Sequence, residues 1–276
     1  MKHSTKLLSA LLVLTSLVTS APLQAKEKPI KVTIPSGVNH SAYDQLLKKY
    51  VDGKGLVAYE KWKNDAADIK ALDNYLKQYA ATGKEASGND KAASSINAYN
   101  AFTMQWILRN YPIESIWQLK DSFEGKRHEV GGKEVSLDDI EQGTLNPQIG
   151  YKEHAVLVCA ARSCPPLSRD AYSADKLDSQ IDAAFTRWLG RPDLTEFQPK
   201  DNAVAISSIF KWFKKDFDKV GGVPKIFAHY APSKYEHFLK SANYTVNFKS
   251  YNWGLNDQGT HGRNYTTSQF LLDKLF

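Results

Sequence analysis

Hydrophobic residues recur along this chain mostly at three- and four-residue steps, the spacing of one face of an α-helix. Tyr43, Leu46, Leu47 and Tyr50 predict a first helix over 41–50, which Asp52-Gly-Lys-Gly55 breaks. Ile69, Leu72, Tyr75, Leu76 and Tyr79 predict a second over 62–79, and a third spans 96–110 before Pro112 stops it. The Gly-, Ser- and Asn-containing stretch 81–90 between them reads as a loop. Further helices are expected over 174–189, capped by Ser173 and ended by Gly190, and over 208–220, with Ile209, Phe210, Phe213 and Phe217 inward. A last amphipathic turn runs over 268–275.

The two-residue alternation of strands is scarcer. Arg127 to Val135 carries two such runs around Gly131-Gly132, a hairpin signal, and Ser136 then caps a short helix with an acidic first turn. Residues 203–207 and 244–248 read as strands, and the apolar run Ala155 to Ala160 as a buried strand ended by Arg162-Ser163 and Pro165-Pro166. Trp106, Trp117, Trp188 and Trp212 fall in amphipathic patterns and are expected in the core, whereas His128, His229 and His237 read as surface or half-buried histidines. Helices outnumber strands and no linker splits the chain. The pattern predicts the α+β class: a single helix-rich domain over 41–256 around a small, mostly antiparallel sheet, with an extended leader over 26–40 and a C-terminal tail over 257–276.

The first residues change the setting. Lys2 and Lys6 precede an apolar run from Leu7 to Val18, followed by Ala-Pro-Leu-Gln-Ala25. That is the pattern of a secretory signal peptide over 1–25, its apolar run too short for the roughly twenty residues of a membrane span. Cleavage near Ala25 is expected to release a periplasmic or secreted protein without a stable membrane anchor. Loss of Lys2 and Lys6 lowers the formal charge from +6 to +4, mildly basic and not the signature of a nucleic-acid partner.

Candidate chemistry concentrates in His154-Ala-Val-Leu-Val-Cys159-Ala-Ala-Arg162-Ser163-Cys164-Pro165-Pro166-Leu167, which holds both cysteines. A cysteine nucleophile needs a neighbouring base and a group to orient it, and His154, Glu141, Asn97 and Asn100 are the available parts. On a straight strand His154 and Cys159 point to opposite faces. The same fact argues against a zinc site on His154, Cys159 and Cys164, and neither Cys-x-x-Cys nor His-Glu-x-x-His occurs. No metal and no cofactor are expected. Two cysteines five residues apart across a turn, in an oxidising compartment, are equally suited to a disulfide. Asn97, Tyr99 and Asn100 are placed at the opening of the third helix, lining a pocket or tying down the sulfur loop. Trp253 and Asn256, in an irregular polar segment, are expected to cover the same site.

Asn97-Ala-Tyr99-Asn100-Ala-Phe-Thr103, Tyr111-Pro112 with Ser115-Ile116, Ser136-Leu-Asp-Asp-Ile-Glu141, His154 with Cys159, Ser163-Cys164-Pro165-Pro166-Leu167 and Trp253-Gly-Leu-Asn256 follow one another in an order that resembles the domain-of-unknown-function family numbered 547. The resemblance runs from about Tyr43 to Asn256. It implies an exported bacterial protein and, by analogy with papain-like or transglutaminase-like thiol enzymes, a cysteine-centred site. Gln142 stands where the family often has histidine, and Ala160 where glycine is common.

Two readings follow. One is a thiol-dependent hydrolase or acyl-transferase acting on an amide or ester bond, with Cys159 or Cys164 as nucleophile and His154 and Glu141 assisting. The other is a non-catalytic binding domain in which a Cys159–Cys164 disulfide shapes a pocket loop. On either reading Asn97, Tyr99, Asn100, Arg162, Ser163, Trp253 and Asn256 surround a small-molecule, peptide or cell-envelope ligand.

Overall fold

The computed structural model describes residues 27–241 and 243–274; the expected signal peptide lies outside them. Helix α1 (Ser41–Tyr50) buries Tyr43, Leu46, Leu47 and Tyr50 as its spacing predicts. The next predicted helix is two, α2 (Tyr59–Lys63) and α3 (Ala66–Lys77), because Asp65 turns its side chain back to accept from the Asp68 backbone amide and starts a new helix there. Tyr43 stacks on Tyr75 at 5.0 Å and Tyr50 on Trp62 at 4.7 Å, so aromatic faces lock α1 against both.

Helix α4 (Gly88–Asn110) begins eight residues earlier than the sequence predicts. Its periodicity is weak because it is buried on nearly every side, from Ala92 through Leu108, and small residues in its first half allow close packing. The cis Tyr111–Pro112 peptide follows it.

Strands β1 (His128–Val130) and β2 (Lys133–Val135) form the expected antiparallel hairpin across Gly131 and Gly132, both at positive φ. Its His128 is buried, contrary to expectation, with its ring 4.4 Å from that of Phe102. Ser136 and Asp139 close a reciprocal capping box on α5 (Leu137–Ile140). A π turn at Glu141–Leu145, α6 (Asn146–Ile149) and a 3-10 turn at Gly150–Ala155 carry the chain into the sulfur loop.

The predicted strand over 155–160 does not form. Residues 156–160 are irregular and, apart from the partly buried Cys159, buried, and Ala160 takes φ +59°. Their backbone polar groups are satisfied by the Asn100 side chain, by Cys164 Sγ and by turn and cross-loop backbone bonds instead of a regular ladder, which apolarity alone does not reveal.

Helix α7 (Leu177–Gly190) starts later than expected, and Ser173 bonds Asp175 instead of capping it. Strands β3 (Glu196–Gln198), β4 (Ala203–Ile206) and β5 (Thr245–Phe248) make the second sheet in the order β3–β4–β5, antiparallel then parallel. Between β4 and β5 lie α8 (Ile209–Trp212), α9 (Lys214–Asp218), α10 (Gly222–Tyr230) and α11 (Glu236–Lys240). The single helix expected over 208–220 is thus broken at Phe213, which leaves Trp212 about half exposed at 48% instead of in the core. Trp188 stacks on Phe210 and Phe185 on Tyr230, joining α7 to α8 and α10. Helix α12 (Thr267–Asp273) packs Phe270 on Trp117 and Trp253. The described residues are a helix-rich α+β fold with two small sheets.

Candidate functional site

Cys159 and Cys164 are joined in a disulfide, and no cysteine is free. The Cys159 amide donates to Cys164 Sγ at 3.2 Å, and Ala161 O accepts from the Cys164 amide, so the bond closes a turn already formed by the backbone. Tyr251 donates its hydroxyl to Cys164 Sγ at 3.2 Å, with Cys159 Sγ at 3.4 Å. Burial pushes the Tyr251 hydroxyl well above its ordinary pKa, keeping it a proton donor.

The segment 252–257 lies along this loop like a second strand. The Arg162 amide donates to Gly254 O at 2.8 Å, the Asn252 amide to Ser163 Oγ at 2.8 Å, and the Asn256 amide to Ala160 O at 2.9 Å. The Arg162 guanidinium donates to the carbonyls of Asp257 and His261. Asn256 accepts from the Tyr59 hydroxyl at 2.9 Å, which ties the pair to α2. Pro166 and Leu167 press so closely on Gly55, at φ +76°, that a Cβ there would overlap their backbone.

Two of the predicted pocket residues are clamps. Asn97 and Asn100 sit mid-helix in α4, not at its N-terminus, because the helix begins at Gly88. Asn100 donates to Val156 O and accepts from the Val158 amide, both at 2.9 Å. Asn97 does the same for Tyr172, donating at 2.8 Å and accepting at 2.9 Å. Each amide supplies the partners that a neighbouring strand would otherwise supply. Tyr99 is buried, and burial followed by the charge of Glu141, to which its hydroxyl is bonded, raises its pKa strongly.

His154 and Glu141 lie in a different group from the sulfurs. His154 is buried, stacked on Phe213 at 4.1 Å, with Nε2 3.1 Å from Asp216 Oδ2. Burial lowers its pKa, against the opposing pull of Asp216. Glu153, fully buried beside it, accepts from Asn146 Nδ2 at 2.7 Å. Burial first, then the charge of Glu141, drives the Glu153 carboxyl far above its ordinary range, so it is held protonated near neutral pH. Sequence reasoning missed Glu153 and Asp216. Glu153 is adjacent to the histidine singled out, but Asp216 arrives from α9, sixty-two residues on.

Trp253 faces outward from the loop pair. It stacks on Phe270 at 5.4 Å and on Trp212 at 5.8 Å, and meets Trp117 edge-on. Between this cluster and the start of α12 runs a groove of 340 Å³ lined by Tyr251, Asn252, Trp253, Tyr265, Thr266 and Phe270 among others. Its lining carries no charged side chain. Two clefts of 410 and 590 Å³ lie elsewhere, with charges of both signs on their walls.

Residues 84–189 match the family model described as "Protein of unknown function, DUF547". The match takes in α4, the hairpin, the whole sulfur loop and α7. No curated protein and no solved structure matches the chain. Ala160, inside the matched segment, holds a left-handed backbone that glycine adopts more readily. Among the described residues no helix is long and apolar enough to cross a membrane.

Proposed function

We propose that this is an exported, non-catalytic binding protein in which the Cys159–Cys164 disulfide holds one wall of a ligand groove, and that the ligand is an uncharged, hydroxyl-rich molecule such as a short cell-envelope oligosaccharide. The observation that carries the reading is the contact of Tyr251 with both sulfurs: the residue braced by the disulfide is itself groove lining. Flat aromatic faces on Trp253 and Phe270 suit the C–H faces of sugar rings. Asn252, Tyr265 and Thr266 offer the few polar groups that orient a ligand in a mostly apolar cleft. A lining without charge favours a neutral occupant. The signal-peptide pattern and the disulfide both fit an oxidising, extracytoplasmic setting.

The thiol-enzyme reading draws no support from this arrangement. A resting nucleophile needs a free thiolate and a base within hydrogen-bond reach. Here the sulfurs are bonded to each other and His154 is bonded to Asp216.

Calorimetric titration with a chitin oligosaccharide tests the proposal. The parent protein is expected to bind it, and Trp253→Ala and the more exposed Trp212→Ala to weaken binding by ~10-fold, ~1.4 kcal/mol. Failure to bind the oligosaccharide, or affinity unchanged in both variants, would contradict it.

A further inference from the structure

Glu153, His154 and Asp216 contact neither the disulfide nor the groove lining. One donor atom from each lies within 4.8 Å of the other two. Further polar contacts hold these donors in place. Asn146 Nδ2 donates to Glu153 Oε1 at 2.7 Å and to Asp216 Oδ2 at 3.3 Å. Lys219 Nζ occupies Asp216 Oδ1 at 2.9 Å. The Phe213 ring fixes the plane of the imidazole. Gln142 donates to Glu141, whose carboxylate adds negative charge next to Glu153. What remains is Glu153 Oε2, fully buried and without a hydrogen-bond partner. A buried carboxylate oxygen left bare is costly unless a cation or a proton meets it.

We propose that Glu153, His154 and Asp216 bind a divalent transition-metal ion, zinc foremost. One imidazole and two carboxylates are ligands that zinc accepts, and three protein ligands leave a fourth position for water. Bonds of about 2.0–2.1 Å in a tetrahedron place neighbouring ligand atoms roughly 3.3 Å apart. The 3.1 Å separation of His154 Nε2 and Asp216 Oδ2 already has that spacing. The ion takes the place of the proton that His154 and Asp216 share and of the one that Glu153 holds, and both protons leave to solvent as Glu153 turns its bare oxygen inward. Asn146 and Lys219 then act as the outer shell that orients metal-bound carboxylates. The Asp216 side chain, 16% exposed, opens a path from the surface that the buried His154 and Glu153 lack.

The test uses the full exported chain, stripped with chelator and dialysed, titrated calorimetrically with zinc chloride and, separately, with cobalt chloride followed by visible absorption. One equivalent of zinc is expected, with a cobalt spectrum of low-coordinate type and a raised Tm. Asp216→Asn and Glu153→Gln are each expected to weaken zinc binding at least tenfold, while Cys159→Ser/Cys164→Ser and His229→Ala keep it. Because His154→Gln disturbs a packed ring, Asp216, whose side chain reaches the surface, carries the decision if that variant does not fold. No zinc uptake by the parent, or uptake unchanged in both carboxylate variants, overturns the proposal. Uptake lost with His229→Ala assigns the ion to the surface and overturns it equally.

Discussion

Asn100 does the work of an absent strand, and the consequence of removing it is specific. Asn100→Ala leaves the Val156 carbonyl and the Val158 amide buried without partners. Each such group costs ~1–3 kcal/mol, so a loss of at least ~2 kcal/mol is expected in urea denaturation. A loss below ~0.5 kcal/mol, the size of an ordinary surface substitution, would contradict the clamp. His128 supplies a second residue-scale effect. Burial, then the charges of Arg127 and Arg109, lower its pKa from 6.5 to about 3. The folded state therefore resists the proton that the unfolded chain accepts. Stability is full above pH 6.5 and declines as the pH falls from there towards 3. By pH 5 the loss from this one group is ~2 kcal/mol. His128→Phe, which keeps the ring beside Phe102, is expected to shallow the acid-side slope of stability against pH. His40 and His154 are shifted in the same direction, so part of the slope remains. An unchanged slope in His128→Phe would show that the imidazole is not excluded from protonation.

At the scale of elements, the sulfur loop is held by three supports of different kinds: the α4 asparagines on one side, the 252–257 segment on the other, and the disulfide across its turn. A disulfide closing so short a loop contributes only ~2 kcal/mol by chain entropy. Cys159→Ser/Cys164→Ser is accordingly expected to remain folded, with a loss of ~2 kcal/mol in denaturant unfolding. Complete unfolding of the double variant would mean that the other two supports do not hold the loop. What was legible in the sequence follows from the same division. Helix α1, the 128–135 hairpin, the Ser136 cap and strands β4 and β5 carry their own local signals and form as read. The 156–160 strand does not, because apolar composition reports burial and not the source of hydrogen-bond partners. Helix α4 was read short because a helix buried all round has little periodicity to show. Trp253 and Asn256 belong to the segment beside the sulfur loop; the Asn256 amide donates to Ala160 O, whereas the Trp253 carbonyl accepts from Ser115. The alternation that set His154 opposite Cys159 belongs to a strand that does not form, so it left a pairing of the two open. The real partner of His154, Asp216, comes from α9 and leaves no mark in the local pattern.

For the whole molecule, the fold places two distinct sets of groups around one irregular segment. On its Cys159 side stand the disulfide, Tyr251 and the uncharged aromatic groove; on its His154 side stand the buried carboxylates. The bonded sulfurs, on the proposed reading, hold the groove wall in its binding shape. That reading is tested most directly by titrating the chitin oligosaccharide into the oxidised protein and into the same protein reduced and alkylated at both cysteines. The oxidised form is expected to show no alkylation before reduction and to bind; the reduced, alkylated form is expected to stay folded and bind at least ~10-fold more weakly. Equal binding by both forms, or a rapidly alkylated cysteine in the protein as purified, would show that the disulfide does not shape the groove.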